Sequence, residues 1–125
     1  LKNPESPLIH FNVGDALYKK KNYKEALKSY QKALNSKDIH VQEQAYYNLG
    51  NCLYKMGKLP ESILSYKEAL KLDPNDRDAK YNLEYVRRKL KENAKKKPQN
   101  QRQNRQQKQQ QQKQNSQKNQ NQQKK

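Results

Sequence analysis

Apolar and aromatic positions between residues 7 and 95 recur three or four apart, and Asn, Gly, Pro and Asp interrupt them at regular places. The pattern predicts five helices and an all-α fold. The first runs from Ser6 or Pro7 to Lys20, Asn22 ends it or caps the next, and the second runs from about Tyr23 to Asn35. A third spans about Ile39 to Met56 and is stopped by Gly57. Pro60 suits the first turn of a fourth helix, which ends at Leu72. Asp73-Pro74-Asn75-Asp76 signals a turn and a new helix start. A last helix is expected from Arg77 to about Lys95, with Ala79, Leu83, Val86 and Leu90 on one stripe.

The helices come in copies. With the chain slid on itself by 36 residues, FNVGDALYKKKNYKEALKSYQKAL (11–34) falls on YNLGNCLYKMGKLPESILSYKEAL (47–70), and ten of 24 positions are identical. Unrelated sequences of average composition would agree at about one or two. A partial third copy follows at an offset of 34, where YNLEYV (81–86) echoes YNLGNC (47–52). A period of this size means a stacked helical array.

Leu49-Gly50, Tyr66, Ala69 and Pro74 in the second copy, with Gly14, Ala26, Tyr30 and Ala33 in the first, resemble the tetratricopeptide repeat. The glycines let a paired helix approach closely, the alanines are small for the same reason, and the two tyrosines fill space between successive repeats. The first copy has Asp38 where the family closes with proline, Ser62 replaces an alanine, and Glu84 stands where the repeat has glycine. The resemblance implies a right-handed superhelix of two helix pairs plus a C-terminal capping helix, followed by a disordered tail. The expected layout is an extension over 1–6, repeats over 7–40 and 43–76, a capping helix over 77–95 and a tail over 96–125. The run DPNDRDAKYNLEYVRRKLKE followed by a Gln-rich tail also resembles the tetratricopeptide members of bacterial aerotolerance (Bat-type) operons. That narrower likeness implies an envelope location beside von Willebrand A-domain partners.

Charge divides the chain. Of a net +16, ten units fall within residues 91–125, and the segment 98–125 holds 14 Gln and five Asn with no aliphatic or aromatic residue. Such a segment has nothing to bury against the entropy of ordering, so disorder is expected, with a boundary near Lys95–Pro98. Its charges are spread and no aromatic is available to stack on bases, so no specific nucleic-acid site is expected; weak binding to anionic surfaces is. No apolar run approaches a membrane span. The chain begins at Leu1 rather than Met, the mark of a processed form or of a piece cut from a longer chain. Two repeats and one helix bury a modest core, so either self-association through the first helix or stabilisation by a partner is a further expectation.

Catalysis finds no support: there is no nucleophile with a base, no metal cluster and no phosphate loop. Cys52, aligned with Ala16, reads as a small core residue; His10 replaces a packing aromatic and His40 falls in the connection between repeats. No cofactor is expected. The family resemblance instead implies a peptide-binding groove lined by the first helix of each pair. The equivalent positions form four ladders: Phe11, Tyr47, Tyr81; Asn12, Asn48, Asn82; Asp15, Asn51, Tyr85; and Tyr18, Tyr54, Arg88. Asparagine donates and accepts, so a row of it can hold the backbone of an extended partner segment, and tyrosine adds rigid contact area. Family members that capture the C-terminal carboxylate of chaperones carry Lys and Arg where this chain has Phe11, Asp15, Asp78 and Asn82, and only Asn48 matches. No tight binding of such a tail is expected. The alternative to a groove-binding adaptor is a polyanion binder acting through its basic end.

Overall fold

A computed structural model describes residues 6–123, so all but Ser6 of the expected N-terminal extension lies outside the described residues. Five helices follow one another: α1 (Pro7–Lys19), α2 (Tyr23–Ala33), α3 (Ile39–Lys55), α4 (Leu59–Leu72) and α5 (Arg77–Gln123). No strand occurs among the described residues. Their starts follow local chemistry. Pro7 and Pro60 sit in first turns, where a missing N–H costs nothing. Asp38 fills the site of the absent proline as an N-cap, accepting from the His40 amide at 2.9 Å. His40 therefore belongs to the first turn of α3 and not to the connection before it. Asp73 accepts from the Asn75 amide and Asp76 from the Ala79 amide, both at 3.0 Å, which builds the turn and caps α5. The turn inside each pair passes through the left-handed region, at Gly57 (φ 77°) in the second copy and at the equivalent Lys21 (φ 63°) in the first.

The chain divides into two compact units, residues 1–90 and 91–125. In the first, α1 packs on α2, α2 on α3 and α3 on α4. Tyr30 and Tyr66 are the two largest buried side chains. A methyl group on Gly14 would stand 2.7 Å from the Tyr30 ring, and one on Gly50 would stand 2.5 Å from the Tyr66 ring. The far side of each ring meets the next copy: Tyr30 lies with Ala26, Leu49 and Cys52, and Tyr66 with Leu59, Ile63, Leu83 and Val86. Ser62 tolerates complete burial in place of alanine because its hydroxyl donates to the Gly50 carbonyl at 2.7 Å. Of the expected stripe on α5, Ala79, Leu83 and Val86 are buried and Leu90 is half-buried. Glu84 is exposed and ion-paired to Arg87 at 2.8 Å, because no further helix needs glycine there.

The second unit corrects an expectation. Where a disordered tail is expected, α5 continues through Pro98 to Gln123, and the two units divide between Leu90 and Lys91, a few residues before the expected boundary near Lys95–Pro98. Gln, Lys and Arg are good helix formers, and that propensity competes with the absence of anything to bury. Pro98 removes one amide donor within this helix.

Candidate functional site

The ladder residues meet where α1, α3 and α5 lie side by side, and a hydrogen-bonded lattice joins them. The Tyr66 hydroxyl, reaching out from the core, donates to Asn51 Oδ1. Asn82 Nδ2 donates to the same Oδ1 at 3.2 Å and to the Tyr47 hydroxyl at 3.1 Å. One copy earlier the pattern repeats with a carboxylate: Tyr30 donates to Asp15 Oδ1 at 2.5 Å and Asn48 Nδ2 reaches the same oxygen at 3.4 Å. Tyr54 donates to Tyr85 at 3.4 Å, their rings crossing at 74°. Burial, then the Asp15 bond, raises the Tyr30 hydroxyl far above the usual phenol range. Burial also raises Tyr66 strongly, burial raises Tyr18, and the Tyr85 bond raises Tyr54. All four stay protonated donors at physiological pH.

Two recesses open on this lattice. One, of about 310 Å³, is lined by Tyr18, Asn51, Tyr54, Lys55, Tyr66, Tyr81, Asn82, Tyr85 and Val86. The other, of about 170 Å³, is lined by Asp15, Tyr18, Lys19, Tyr30, Asn48 and Asn51. The ladders thus split by function. Phe11 and Tyr47 are half-buried and pack against Tyr30 and Tyr66, with centroids 5.8 and 5.9 Å apart, so they serve the core. Their counterpart Tyr81 has no such ring to cover it and is 67% exposed. Asp15, Asn48, Asn51 and Asn82 are half-buried and partnered within the fold, whereas Asn12 and Arg88 are exposed and line neither recess.

A cation row escaped the sequence reading. Lys19 and Lys55 line one recess each, and Lys89 stands 5.6 Å from the centroid of Tyr85. These lysines are spaced by 36 and then 34 residues, so the repeat offsets alone could have found them. On a different side, α2, α3 and α4 bound a shallower apolar groove of about 760 Å³, with Leu27, Leu34, Leu53, Met56 and Leu64 along it.

The remaining candidates behave as packing. Cys52 is fully buried, and burial pushes its thiol up to about 12. No group of three or more His, Cys, Asp or Glu among the described residues could hold a metal ion. No described helix is long and apolar enough to cross a membrane.

Comparison with known proteins agrees with this geometry. Tetratricopeptide repeat family profiles match residues 43–76 and residues 7–36. No curated protein sequence matches. Among solved structures, the first tetratricopeptide domain of Spaghetti (RPAP3), bound to the HSP90 peptide SRMEEVD, superposes with a TM-score of 0.64. It is 24% identical, over 70% of this chain and 68% of that one. The paired helices, the tyrosines seated on glycines and two consecutive profile matches converge on one conclusion: this chain belongs to the tetratricopeptide repeat family, whose repeats serve as protein-interaction modules.

Proposed function

We propose that the chain is a non-enzymatic adaptor that holds an extended segment of a partner protein across α1, α3 and α5. The observation that carries this reading is the 310 Å³ recess, to which α1, α3 and α5 all contribute tyrosine or asparagine. The similar fold that holds an HSP90 peptide supports protein-segment binding as the class of activity. It does not extend to the same ligand chemistry. The Asp15 carboxylate stands where a carboxylate-capturing member has a cation, and it already accepts from Tyr30 and Asn48. A second anion there would face that carboxylate, with Lys19 alone among the lining residues to offer a charge-assisted donor. Tight binding of free SRMEEVD, with a micromolar Kd, would overturn that exclusion.

The groove reading is tested by a pull-down from the native source with three baits: the intact chain, a truncation after Lys97, and Tyr81→Ala combined with Lys55→Glu. A discrete protein that survives truncation and high salt, and is lost only with the double substitution, is the expected result. Loss by truncation alone would refute it. The narrower placement, in a bacterial envelope complex of the aerotolerance type, rests on the 73–92 run and the Gln-rich segment after it. One observation favours a second reading: from Asn93 to Gln123 the helix carries no acidic residue. Polyanion binding by that segment would fall by orders of magnitude as salt rises.

A further inference from the structure

The hydrogen-bond inventory of the 310 Å³ recess narrows what its ligand can be. Asn51 Oδ1 is taken twice, by Tyr66 and Asn82, so what Asn51 has left to offer is its NH2 group. Asn82 has spent both N–H groups and keeps one acceptor oxygen. Tyr54 donates to Tyr85, which leaves the Tyr85 hydroxyl hydrogen to face outward. Tyr81 and Lys55 add further donors, and no acidic side chain lines the recess. Donors therefore outnumber acceptors, which are Asn82 Oδ1 and the tyrosine hydroxyl oxygens. An ordinary extended segment brings as many N–H donors as carbonyl acceptors, so its N–H groups would compete for those few uncharged oxygens. A polyproline II segment brings carbonyls, and each proline removes an N–H.

The shape agrees. The Tyr54 and Tyr85 rings cross edge to face at 5.8 Å, and Tyr81 stands beside them largely uncovered. Slots between rigid aromatic rings are how proline-rich segments are held elsewhere. Lys55 lines the recess, so an acidic side chain on the ligand would meet a cation. Three helices about 10 Å apart are crossed by about seven residues of polyproline II at about 3.1 Å per residue.

Resting on the groove reading above, we propose that the partner segment is proline-rich and acidic, and binds as a polyproline II helix against Tyr54, Tyr81 and Tyr85. The probe is a fluorescein-labelled Glu-Pro-Pro repeat peptide, titrated with the full chain by anisotropy at physiological salt. Two control peptides accompany it. A Lys-Pro-Pro repeat reverses the charge, and a Glu-Gly-Ser repeat keeps the charge without the proline. The expected result is saturable binding of Glu-Pro-Pro, at least about tenfold tighter than either control. Tyr81→Ala and Lys55→Glu should each weaken it by about tenfold, the order expected for one aromatic or charge contact. Both positions are exposed, so the variants should keep the wild-type circular dichroism spectrum. Equal binding of Glu-Pro-Pro and Glu-Gly-Ser, or binding indifferent to Tyr81→Ala, would overturn the proposal. A random-peptide display selection separates this from the broader reading. Tyr81-sensitive winners without proline would overturn the ligand class alone, and the absence of any Tyr81-sensitive winner would overturn both.

Discussion

Glu43 offers the sharpest test of the energetics. It lies in α3, is only 2% exposed, and accepts from Gln44 at Oε2 over 2.6 Å. Its Oε1 is buried with no hydrogen-bond donor facing it. The charged groups around it are Asp76, the cap of α5, and Asp73 in the same turn. An acid facing an acid is satisfied only when one of them carries a proton. Burial first, then the hydrogen bond and charge of Asp76 and the charge of Asp73, therefore raise the Glu43 carboxyl from about 4.5 to about 7, against a smaller opposing effect of Gln44. Because the folded value lies above the unfolded one, the native state binds the extra proton. Stability from this group is intact below about pH 4.5 and is lost as pH rises through about 7. Each tenfold gain in proton affinity on folding is worth about 1.36 kcal/mol, so the full loss is on the order of 2 to 3 kcal/mol. Glu43→Gln keeps the shape, fixes the group neutral, and can still donate to Asp76. Urea denaturation of both proteins from about pH 4.5 to about pH 8.5 should give equal stabilities at the acid end and a variant more stable by about 2 kcal/mol or more at the alkaline end. Parallel curves, or a variant less stable at the alkaline end, would refute the reasoning.

Four other outcomes are expected. Gly50→Ala and Gly14→Ala drive a methyl into the Tyr66 and Tyr30 rings and should each lower stability by about 1 to 3 kcal/mol, measured by urea titration. Gly57→Ala meets no atom within 4 Å and should cost only the left-handed backbone penalty, about 1 kcal/mol. Cys52, with its thiol pushed up to about 12 by burial, should resist Ellman's reagent at about pH 8 in the native state and react at once in denaturant; prompt native reaction would contradict its burial. Pro98→Ala should restore the amide lost within α5 and raise helicity in far-ultraviolet circular dichroism, by up to about 3 kcal/mol of local helix stability. No change in ellipticity would mean that residue 98 does not lie inside a helix in solution.

The repeat made most of the fold legible. Ten identities at one offset matched Gly14 to Gly50 and Tyr30 to Tyr66, and within each copy the glycine meets its tyrosine as the spacing implies. Helix ends were readable to within two residues wherever a proline, an aspartate or a left-handed turn residue marked them. Beyond Lys95 the one such mark, Pro98, lies inside the helix and does not end it. The composition speaks for disorder through its lack of apolar surface and for helix through its propensity, and the structure carries the helix on to Gln123. The groove was half legible. Equivalent positions identified the ladders, but a ladder does not say how many neighbours each rung has. Tyr47 is covered because Tyr66 lies beneath it, whereas Tyr81 is open because no ring among the described residues covers it in the same way. Glu43 could not have been found by pattern. Its perturbation comes from a turn about 30 residues further along the chain that is brought against it only by stacking.

The lattice from Tyr66 through Asn51 to Asn82 and Tyr47 bears on how discriminating this protein can be. A promiscuous binder needs a lining that re-packs around each visitor, and methionine is the usual means. The one methionine here, Met56, lies along the separate apolar groove and not in this recess. The amides of the recess are clamped to a ring wedged on a glycine. Turning one of them to suit a different guest would strand a buried hydroxyl. On the proposed groove reading, the surface is a fixed reader, one that accepts few sequences and reorganises little in doing so.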